Sequence, residues 1–167
     1  MPSEPRLELL SSKKLVGKSV RMSLIENRTR ELWNGFMKDV VGENSITTTT
    51  RYSVQLYDLG YFKNFDPHNT FTKWACMEAD KLQNIPNGFE IFDLPAGLYA
   101  VFDFKGLSSD FPKMAQFIYN HWLPNSDYEP DHRPHFELLG EKYRNNHPDS
   151  EEEVWVPIKR KEVSKNH

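Results

Sequence analysis

The sequence has little cysteine, no long apolar run and no excess of basic residues. Its single cysteine, Cys76, excludes an internal disulfide bond and fits a reducing compartment. No apolar run follows a basic start or is long enough to span a bilayer, which argues against a signal peptide or transmembrane helix and predicts a cytoplasmic protein without membrane contact. The net charge of −3 provides no broad basic surface, so direct nucleic-acid binding is not expected.

The familiar catalytic and cofactor motifs are missing too. The chain contains no G-x-S-x-G, no glycine-rich phosphate loop and no H-E-x-x-H, so we expect no cofactor. His132 and His135 have an H-x-x-H spacing but flank Pro134 in a predicted loop. Because no helix brings the two rings to one side, we expect no metal site. Cys76 lies in a predicted strand, where a buried thiol is favoured over a nucleophile.

What the chain does contain is one pattern that occurs twice, at offsets of roughly 81 to 84 residues. In each copy an extended run precedes an apolar helical period and two further extended runs. The repeat predicts two β-α-β-β units related by a pseudo-twofold axis, with a ligand groove where they meet. The predicted elements are Leu15–Leu24, a helix around Trp33, Phe36, Met37 and Val40, Tyr52–Tyr57 and Thr72–Ala79, and then Gly97–Phe104, a helix around Met114, Phe117, Ile118, His121 and Trp122, His135–Tyr143 and Glu153–Lys159.

Length and composition predict a single domain. A chain of 167 residues with 38% hydrophobic residues can bury one sizeable core. We expect residues 1–167 to form one α+β domain, with pseudo-repeats at about 12–80 and 89–160 and no DNA-binding domain. Its antiparallel sheet should carry both helices on one face and a central groove on the other.

Side-chain alternation along the strands predicts which residues line that groove. The residues assigned to the face that covers the helices are Phe136, Leu138, Val154, Val156 and Ile158 in the second copy and Tyr52, Val54 and Leu56 in the first. Those assigned to the groove face are Glu137, Leu139, Tyr143 and Trp155, together with Gln55, Tyr57 and Trp74. Trp122 ends the second helix, and its ring can lean either into the core or over the groove.

Glu137 is the unusual member of the predicted groove face. Aromatic faces attract flat apolar molecules and cations, and a carboxylate in a poor dielectric adds charge complementarity. A buried carboxylate without a partner is costly, so the pattern favours ligand binding. A structural ion pair with Arg133, Lys142 or Arg144 is the alternative. Acid–base chemistry by Glu137 and a tyrosine needs the same residues as passive binding, so the sequence does not separate the two.

Four stretches of the chain carry a family resemblance that covers nearly its whole length. They are Leu94-Pro-Ala-Gly-Leu-Tyr-Ala-Val-Phe, Tyr119-Asn-His-Trp-Leu-Pro-Asn-Ser-Asp-Tyr-Glu, His135-Phe-Glu-Leu-Leu and Glu153-Val-Trp-Val-Pro-Ile. The strongest motif is Trp-Leu-Pro-x-Ser-x-Tyr, followed by Phe-Glu about eight residues later. Together they resemble the GyrI-like effector-binding domain, which occurs at the carboxyl end of AraC- and MerR-type multidrug regulators and also as a stand-alone protein.

The resemblance implies a duplicated fold of SHS2 type with a central pocket for lipophilic, often cationic compounds. The pocket glutamate of the family maps onto Glu137, and the resemblance implies Tyr57, Trp74 and Trp155 as pocket aromatics. We therefore expect a small-molecule sensor or sequestering module, linked to transcription regulation in the relatives.

Two other functions stay open under the same resemblance. Some stand-alone relatives resemble hydrolases that open strained rings, such as the cyclopropane or epoxide of a cytotoxin, and Glu137 and Tyr57 would then be catalytic. Others resemble gyrase inhibitors, which implies a protein-interaction module with a regulator or enzyme as partner.

Overall fold

The chain folds into a duplicated α+β motif in the computed structural model, which describes residues 3–41, 50–63 and 66–162. The first half consists of β1 (Arg6–Leu10), β2 (Lys13–Ser23), α1 (Thr29–Val41), β3 (Arg51–Tyr57) and β4 (Thr70–Glu78). The second half consists of β5 (Glu90–Leu94), β6 (Gly97–Lys105), α2 (Phe111–Phe117), β7 (Tyr128–Pro130), β8 (His135–Leu139) and β9 (Glu151–Arg160). Short 3₁₀ turns lie at Ala79–Lys81 and Ser108–Asp110. α2 continues through a π-helical turn, Ile118–Trp122, into the turn Leu123–Asn125, and residues 111–125 together are called the second helical segment.

The strands form one antiparallel sheet in the order β1-β6-β9-β8-β3-β4-β2-β5, with β7 paired to β9. This order is palindromic when each strand is exchanged for its counterpart, β1 for β5, β2 for β6, β3 for β8 and β4 for β9. The pseudo-twofold axis therefore lies between β3 and β8. Ser53 and Glu137 occupy equivalent positions in the two halves and face each other across this pair of strands. The predicted duplicated α+β fold is confirmed.

Two details of the repeat differ from the prediction. Each unit begins with an additional strand, β1 or β5, and that strand pairs with the other half: β1 with β6 and β5 with β2. These exchanged strands are five residues long and lie at the sheet edges, which makes their sequence pattern weak. β8 ends at Leu139 rather than at Tyr143, because Gly140 begins a turn.

Local sequence explains where the two helices begin and which sides they bury. The Asn27 carboxamide accepts a hydrogen bond from the Thr29 backbone N–H at 3.0 Å and caps the start of α1. Pro112 lies in the first turn of α2, where its missing N–H removes no helical bond. The buried residues of the helical segments recur at helical spacing and are Leu32, Phe36 and Val40 in the first and Met114 and Ile118 in the second. Within the described ranges, no helix combines the length and apolar character needed to cross a membrane.

Both helices lie on one face of the sheet. Register partners in neighbouring strands share a face, and one row across the sheet contains Phe102, Val154, Glu137, Ser53 and Ala75. The segment that begins with α2 packs on Phe102 and Val154 at one end of the row, and α1 packs on Ala75 at the other. The middle of the row therefore lies between the two helices.

The opposite face forms its own core. One apolar cluster joins Leu10 of β1 to Leu94 of β5, the two edge strands, so the sheet curls until this face closes on itself. Phe136 stacks on Trp155 at 5.0 Å and makes an edge contact with Tyr99 at 5.3 Å. This cluster is called the curled core below. Its buried members are Leu10, Leu15, Tyr52, Val54, Trp74, Cys76, Leu94, Tyr99, Val101, Phe136 and Trp155.

This arrangement corrects the predicted faces of β3 and β8. Val154, Val156 and Ile158 face the helices as predicted, but Phe136 pairs with Trp155 and so points to the opposite side. The same correction applies to Tyr52, Val54, Leu56 and Leu138, which belong to the curled core. Alternation divides the residues of a strand between its two sides, but only the register with the neighbouring strand decides which side faces the helices. A shift of one residue in that register exchanges the two sides.

Candidate functional site

Glu137 lies on the floor of a groove between the two helices, on the pseudo-twofold axis. Its register partner is Ser53, and the neighbouring pair along the same strands is Gln55 and His135. The Gln55 amide donates to the Ser53 hydroxyl at 3.2 Å and also forms a side-chain hydrogen bond with the Glu137 carboxylate. Glu137 is half-buried, so its carboxylate is surrounded by protein but remains reachable from the groove.

Aromatic rings close one end of the groove. The Tyr57 ring meets His135 edge-on at 5.0 Å and Phe62 at 4.9 Å. Phe62 also stacks on Tyr119 of the π-helical turn at 5.8 Å, although half of its side chain is exposed. The Tyr119 hydroxyl and His135 Nδ1 are joined by a hydrogen bond of 3.2 Å. The loop after β3 thus contacts the second helical segment through rings that can stack on a flat or apolar ligand.

The other end of the groove is built from the equivalent positions of the pseudo-repeat, but with different chemistry. Arg51 replaces His135 there, and its Nε lies 3.2 Å from the Met37 sulfur, where the second half has Tyr119. Glu152 of β9 and the partly exposed Tyr143 lie near each other at this end, since the Glu152 charge contributes to raising the pKa of Tyr143. The groove is therefore asymmetric, with rings at one end and charged side chains at the other.

Two carboxyls and two cationic side chains, Lys73 and Arg51, carry the charges of the groove. Burial raises the pKa of Glu137 to about 7, although the Lys73 ammonium and the Gln55 hydrogen bond oppose the rise. Burial also raises the pKa of Glu152 to about 7, with a further contribution from the Glu137 charge. Burial lowers the pKa of Lys73, and both carboxylates oppose that shift. Because the two carboxyls interact, they titrate as a pair close to neutral pH.

The hydroxyls and the imidazole beside Glu137 are neutral at physiological pH. Burial raises the pKa of Tyr57 and of Tyr119 well above the usual range, so both phenols keep their protons. Burial lowers the pKa of His135 to about 3, and the nearby Arg133 and His132 charges add to the effect. Across the described residues, no group of three histidine, cysteine or acidic side chains is placed to hold a metal.

The residues predicted for the groove fall into two groups. Glu137, Tyr57, Leu139 and Tyr143 lie on the helix side of the sheet or at the end of the groove, together with Gln55. Trp74 and Trp155 do share one face with each other, as predicted, but it is the curled core, where each is 8% exposed. The structure therefore separates both tryptophans from Glu137. The Arg133 guanidinium, predicted as an alternative partner of Glu137, instead pairs with Asp131 at 2.7 Å.

Trp122 lies outside the groove, at the far end of the second helical segment. Its ring meets Phe102 edge-on at 5.4 Å, lies parallel to Tyr128 at 6.4 Å, and donates a hydrogen bond to Glu4 at 3.1 Å. It also lines a surface pocket of about 280 Å³ with Glu4, His121, Asn125, Ser126, Asp127 and Tyr128. Of the two orientations left open by the sequence, the Trp122 ring therefore packs into the core and not over the groove, and one edge of the ring lies at the surface.

Four groove residues were not predicted from the sequence, namely Lys73, Tyr119, His135 and Glu152. A signal for one of them was present in the repeat. Tyr119 corresponds to Met37, so it places a polar group at a position that is apolar in the other copy. Such a break in the repeat marks a position where packing alone does not determine the residue. Glu152 is one of three consecutive acids, Glu151–Glu153, and such a run indicates a solvent-exposed turn, so the sequence does not predict that Glu152 is half-buried.

The raised pKa of Glu137 leads to a prediction about stability and pH. In the unfolded chain a glutamate has a pKa near 4.3, so the folded state loses stability as pH rises from about 4.5 to about 7 and Glu137 ionises. Glu137→Gln removes this loss. The gain in unfolding free energy of the variant over the wild type should grow by about 3 kcal/mol between pH 4.5 and pH 8.

Urea unfolding at several pH values measures this difference. His135 has the opposite pH dependence, because its low folded pKa destabilises the protein below about pH 6.5, but this contribution cancels between the two proteins. Glu141→Gln, at an exposed carboxyl after β8, is the matched control and should follow the wild-type curve. A constant difference between Glu137→Gln and the wild type would contradict the groove electrostatics.

The fold and the groove define a class of protein, a duplicated α+β domain with an acidic residue between its two helices. A family model described as the GyrI-like small molecule binding domain matches residues 3–159. The chain therefore belongs to the GyrI-like family.

Individual relatives agree with this assignment. The chain is 31% identical over 93 residues to the transcriptional regulator BrlR of Pseudomonas aeruginosa, a match that covers 55% of this chain and 34% of BrlR. It thus spans about a third of that regulator. The crystal structure of the EcmrR C-terminal domain has a TM-score of 0.69 at 13% identity, with 94% of this chain and 98% of that one covered. A structure of SAV2435 bound to tetraphenylphosphonium has a TM-score of 0.66 at 16% identity, with 94% of each chain covered.

Proposed function

We propose that this protein binds lipophilic cations in the groove between its two helices and acts as a sensor or sequestering module. The observation that carries the proposal is Glu137, a half-buried carboxyl on the pseudo-twofold axis with neutral rings beside it. A carboxylate in this position has few solvent contacts to lose when a poorly hydrated cation approaches, and the charge of the cation offsets the cost of ionising it.

The surrounding rings support the same ligand class. Tyr57, Phe62 and Tyr119 form an aromatic end to the groove, and such faces attract cations through their quadrupoles as well as flat apolar groups through dispersion. The tetraphenylphosphonium bound to SAV2435, a protein of the same fold, is a ligand of this class and is therefore the appropriate probe. The relation to BrlR and the EcmrR domain supports a sensing role coupled to transcription through other domains or partners.

Tetraphenylphosphonium should raise the melting temperature of the protein reversibly. A ligand that binds only the folded state stabilises it by about 2.7 kcal/mol at a hundredfold excess over its Kd. Calorimetric titration gives the Kd, and the neutral triphenylphosphine oxide, which has a similar shape, should bind more weakly. Absence of binding at millimolar tetraphenylphosphonium at pH 8 would refute the proposal.

Hydrolysis is the second candidate, and one feature of the groove favours it. Glu137 has a pKa of about 7 and shares the groove with two protonated tyrosines, so an acid–base residue and hydroxyl donors are available together. Mass spectrometry after incubation separates the two candidates. A sensor returns its ligand unchanged, whereas a ring-opened product from a cyclopropane- or epoxide-bearing toxin, formed at a rate proportional to protein concentration, would favour the hydrolase.

A further inference from the structure

The outer edge of β1 exposes a row of leucines. β1 pairs with β6 on one side, and within the described ranges no strand pairs with its other side. Leu9 points to the helix side of the sheet, since its register partner Leu98 packs with the second helical segment, and Leu7 points to the same side. Leu9 is nevertheless 80% exposed and Leu7 45% exposed. An edge strand with free backbone N–H and C=O groups and exposed apolar side chains is a template for pairing with another strand.

The equivalent edge strand, β5, does not present such a row. β1 and β5 have the same length and the same succession of exposed and buried side chains, so the repeat matches Leu9 with Asp93. It also matches Leu7 with Ile91, and these two side chains are 45% and 46% exposed. A charge on an edge strand opposes pairing because it would lose its hydration in the new contact. The β5 edge therefore carries a protecting charge at Asp93, where the β1 edge carries Leu9.

The two charged residues of β1 lie on the other side of the strand. Arg6 and Glu8 point towards the curled core, since their register partners on β6 belong to it. The Arg6 guanidinium bonds Glu8 at 3.0 Å and Glu153 at 2.7 Å. Asp103 lies 3.8 Å from the same guanidinium. These charges therefore leave the leucine row on the helix side without protection against pairing.

We propose that β1 pairs with β1 of a second copy of this chain, so that the protein forms a homodimer with one continuous sheet. Antiparallel pairing of two identical strands has a twofold axis, and the charges of β1 select where that axis lies. Pairing centred on Leu7 places each Arg6 opposite the partner's Glu8 and the two Leu7 side chains opposite each other. Pairing centred on Glu8 would place the two glutamates opposite each other, and like charges in that position are destabilising.

A single pair of short strands makes a weak dimer. Two five-residue strands bury less surface than the total of about 1,200 to 2,000 Å² that stable interfaces bury, so we expect the dimer to dissociate at micromolar to millimolar concentrations. The axis is perpendicular to the sheet, so both grooves open on the same side of the joined sheet. The inference is independent of the proposed function, since it uses no residue of the groove.

Sedimentation equilibrium over a protein concentration series that reaches the millimolar range tests the inference. The wild type should dimerise, and Leu9→Asp, which gives β1 the residue that β5 has, should weaken the dimer at least about tenfold. Ile91→Asp makes the same kind of change at the other edge and should leave the dimer unchanged. Because Leu9 is largely exposed, Leu9→Asp should keep the wild-type resistance to urea unfolding.

Cross-linking tests the position of the axis. Cys76 is fully buried, so an introduced thiol at the edge reacts in its place. Leu7→Cys puts two thiols directly opposite each other, with Cβ atoms about 4.5 to 5.5 Å apart, close to the separation in a disulfide. The two thiols of Leu9→Cys lie roughly 14 Å apart along the strands. In a glutathione redox buffer, Leu7→Cys should form about tenfold more covalent dimer than Leu9→Cys.

Each contrary result overturns a different part of the inference. A wild type that stays monomeric at millimolar concentration overturns the homodimer, whether or not it binds tetraphenylphosphonium. A dimer that Ile91→Asp weakens as much as Leu9→Asp does is not formed through β1. Equal cross-linking of Leu7→Cys and Leu9→Cys overturns the pairing centred on Leu7.

Discussion

Trp155→Ala should lower the free energy of unfolding by about 3 to 5 kcal/mol and leave the affinity for tetraphenylphosphonium unchanged. The stability loss is expected because Trp155 is 8% exposed, stacks on Phe136 and meets Tyr99 at 5.7 Å in the curled core. The unchanged affinity is expected because the sheet lies between this tryptophan and Glu137. Urea unfolding measures the first quantity, and calorimetric titration at low temperature measures the second.

A milder variant keeps this prediction testable if Trp155→Ala does not fold. Trp155→Phe keeps an aromatic ring beside Phe136 and should lose less stability while giving the same ligand result. Trp122→Ala provides the comparison at the outer end of the second helical segment, where the ring is half-buried and a smaller loss is expected. A tenfold loss of tetraphenylphosphonium affinity in Trp155→Phe would place the tryptophan in the ligand site and overturn the face assignment.

Glu137→Gln should weaken the binding of tetraphenylphosphonium by about 1 to 3 kcal/mol at pH 8 and leave triphenylphosphine oxide nearly unaffected. The substitution keeps the shape of the side chain and removes only the charge. Wild-type affinity for the cation should also fall as the pH drops below 7, by about tenfold per unit until it reaches the affinity of Glu137→Gln, because protonation of Glu137 removes the same charge. In Glu137→Gln the pH dependence should be weaker and should come from Glu152.

Stability of the same variant separates ligand binding from a structural ion pair. If Glu137 were held by an arginine, Glu137→Gln would lose a kilocalorie or more of stability and keep its ligand discrimination. Arg133 is engaged by Asp131 and by the backbone carbonyls of Leu98 and Ile158, so we expect equal or greater stability instead. Equal losses of affinity for the charged and neutral compounds would show that the Glu137 charge is not recognised.

The sequence by itself determined the duplication and the residue at its centre. The repeated order of strand, helix and two strands predicted the pseudo-twofold fold, because hydrophobic periodicity and spacing are local properties of the chain. Glu137 was predicted as the acid of the site for the same reason, since it interrupts the apolar alternation of its own strand. The family resemblance carried by the Trp-Leu-Pro segment and the Phe-Glu pair is likewise read directly from the chain and is confirmed.

Only the tertiary structure decided which residues of each strand face the helices and which face the curled core. The pairing of Phe136 with Trp155 placed Glu137 under the helices and moved Trp74 and Trp155 to the opposite core. That register depends on the long connection between β8 and β9, whose conformation no periodicity encodes.

The composition of the groove was also decided by the tertiary structure. Lys73, Tyr119 and Glu152 come from three separate elements and meet Glu137 only when the sheet is assembled. Their burial, and with it the near-neutral pKa of the carboxyls, arises from the surrounding protein and cannot be assigned to a residue before its neighbours are known.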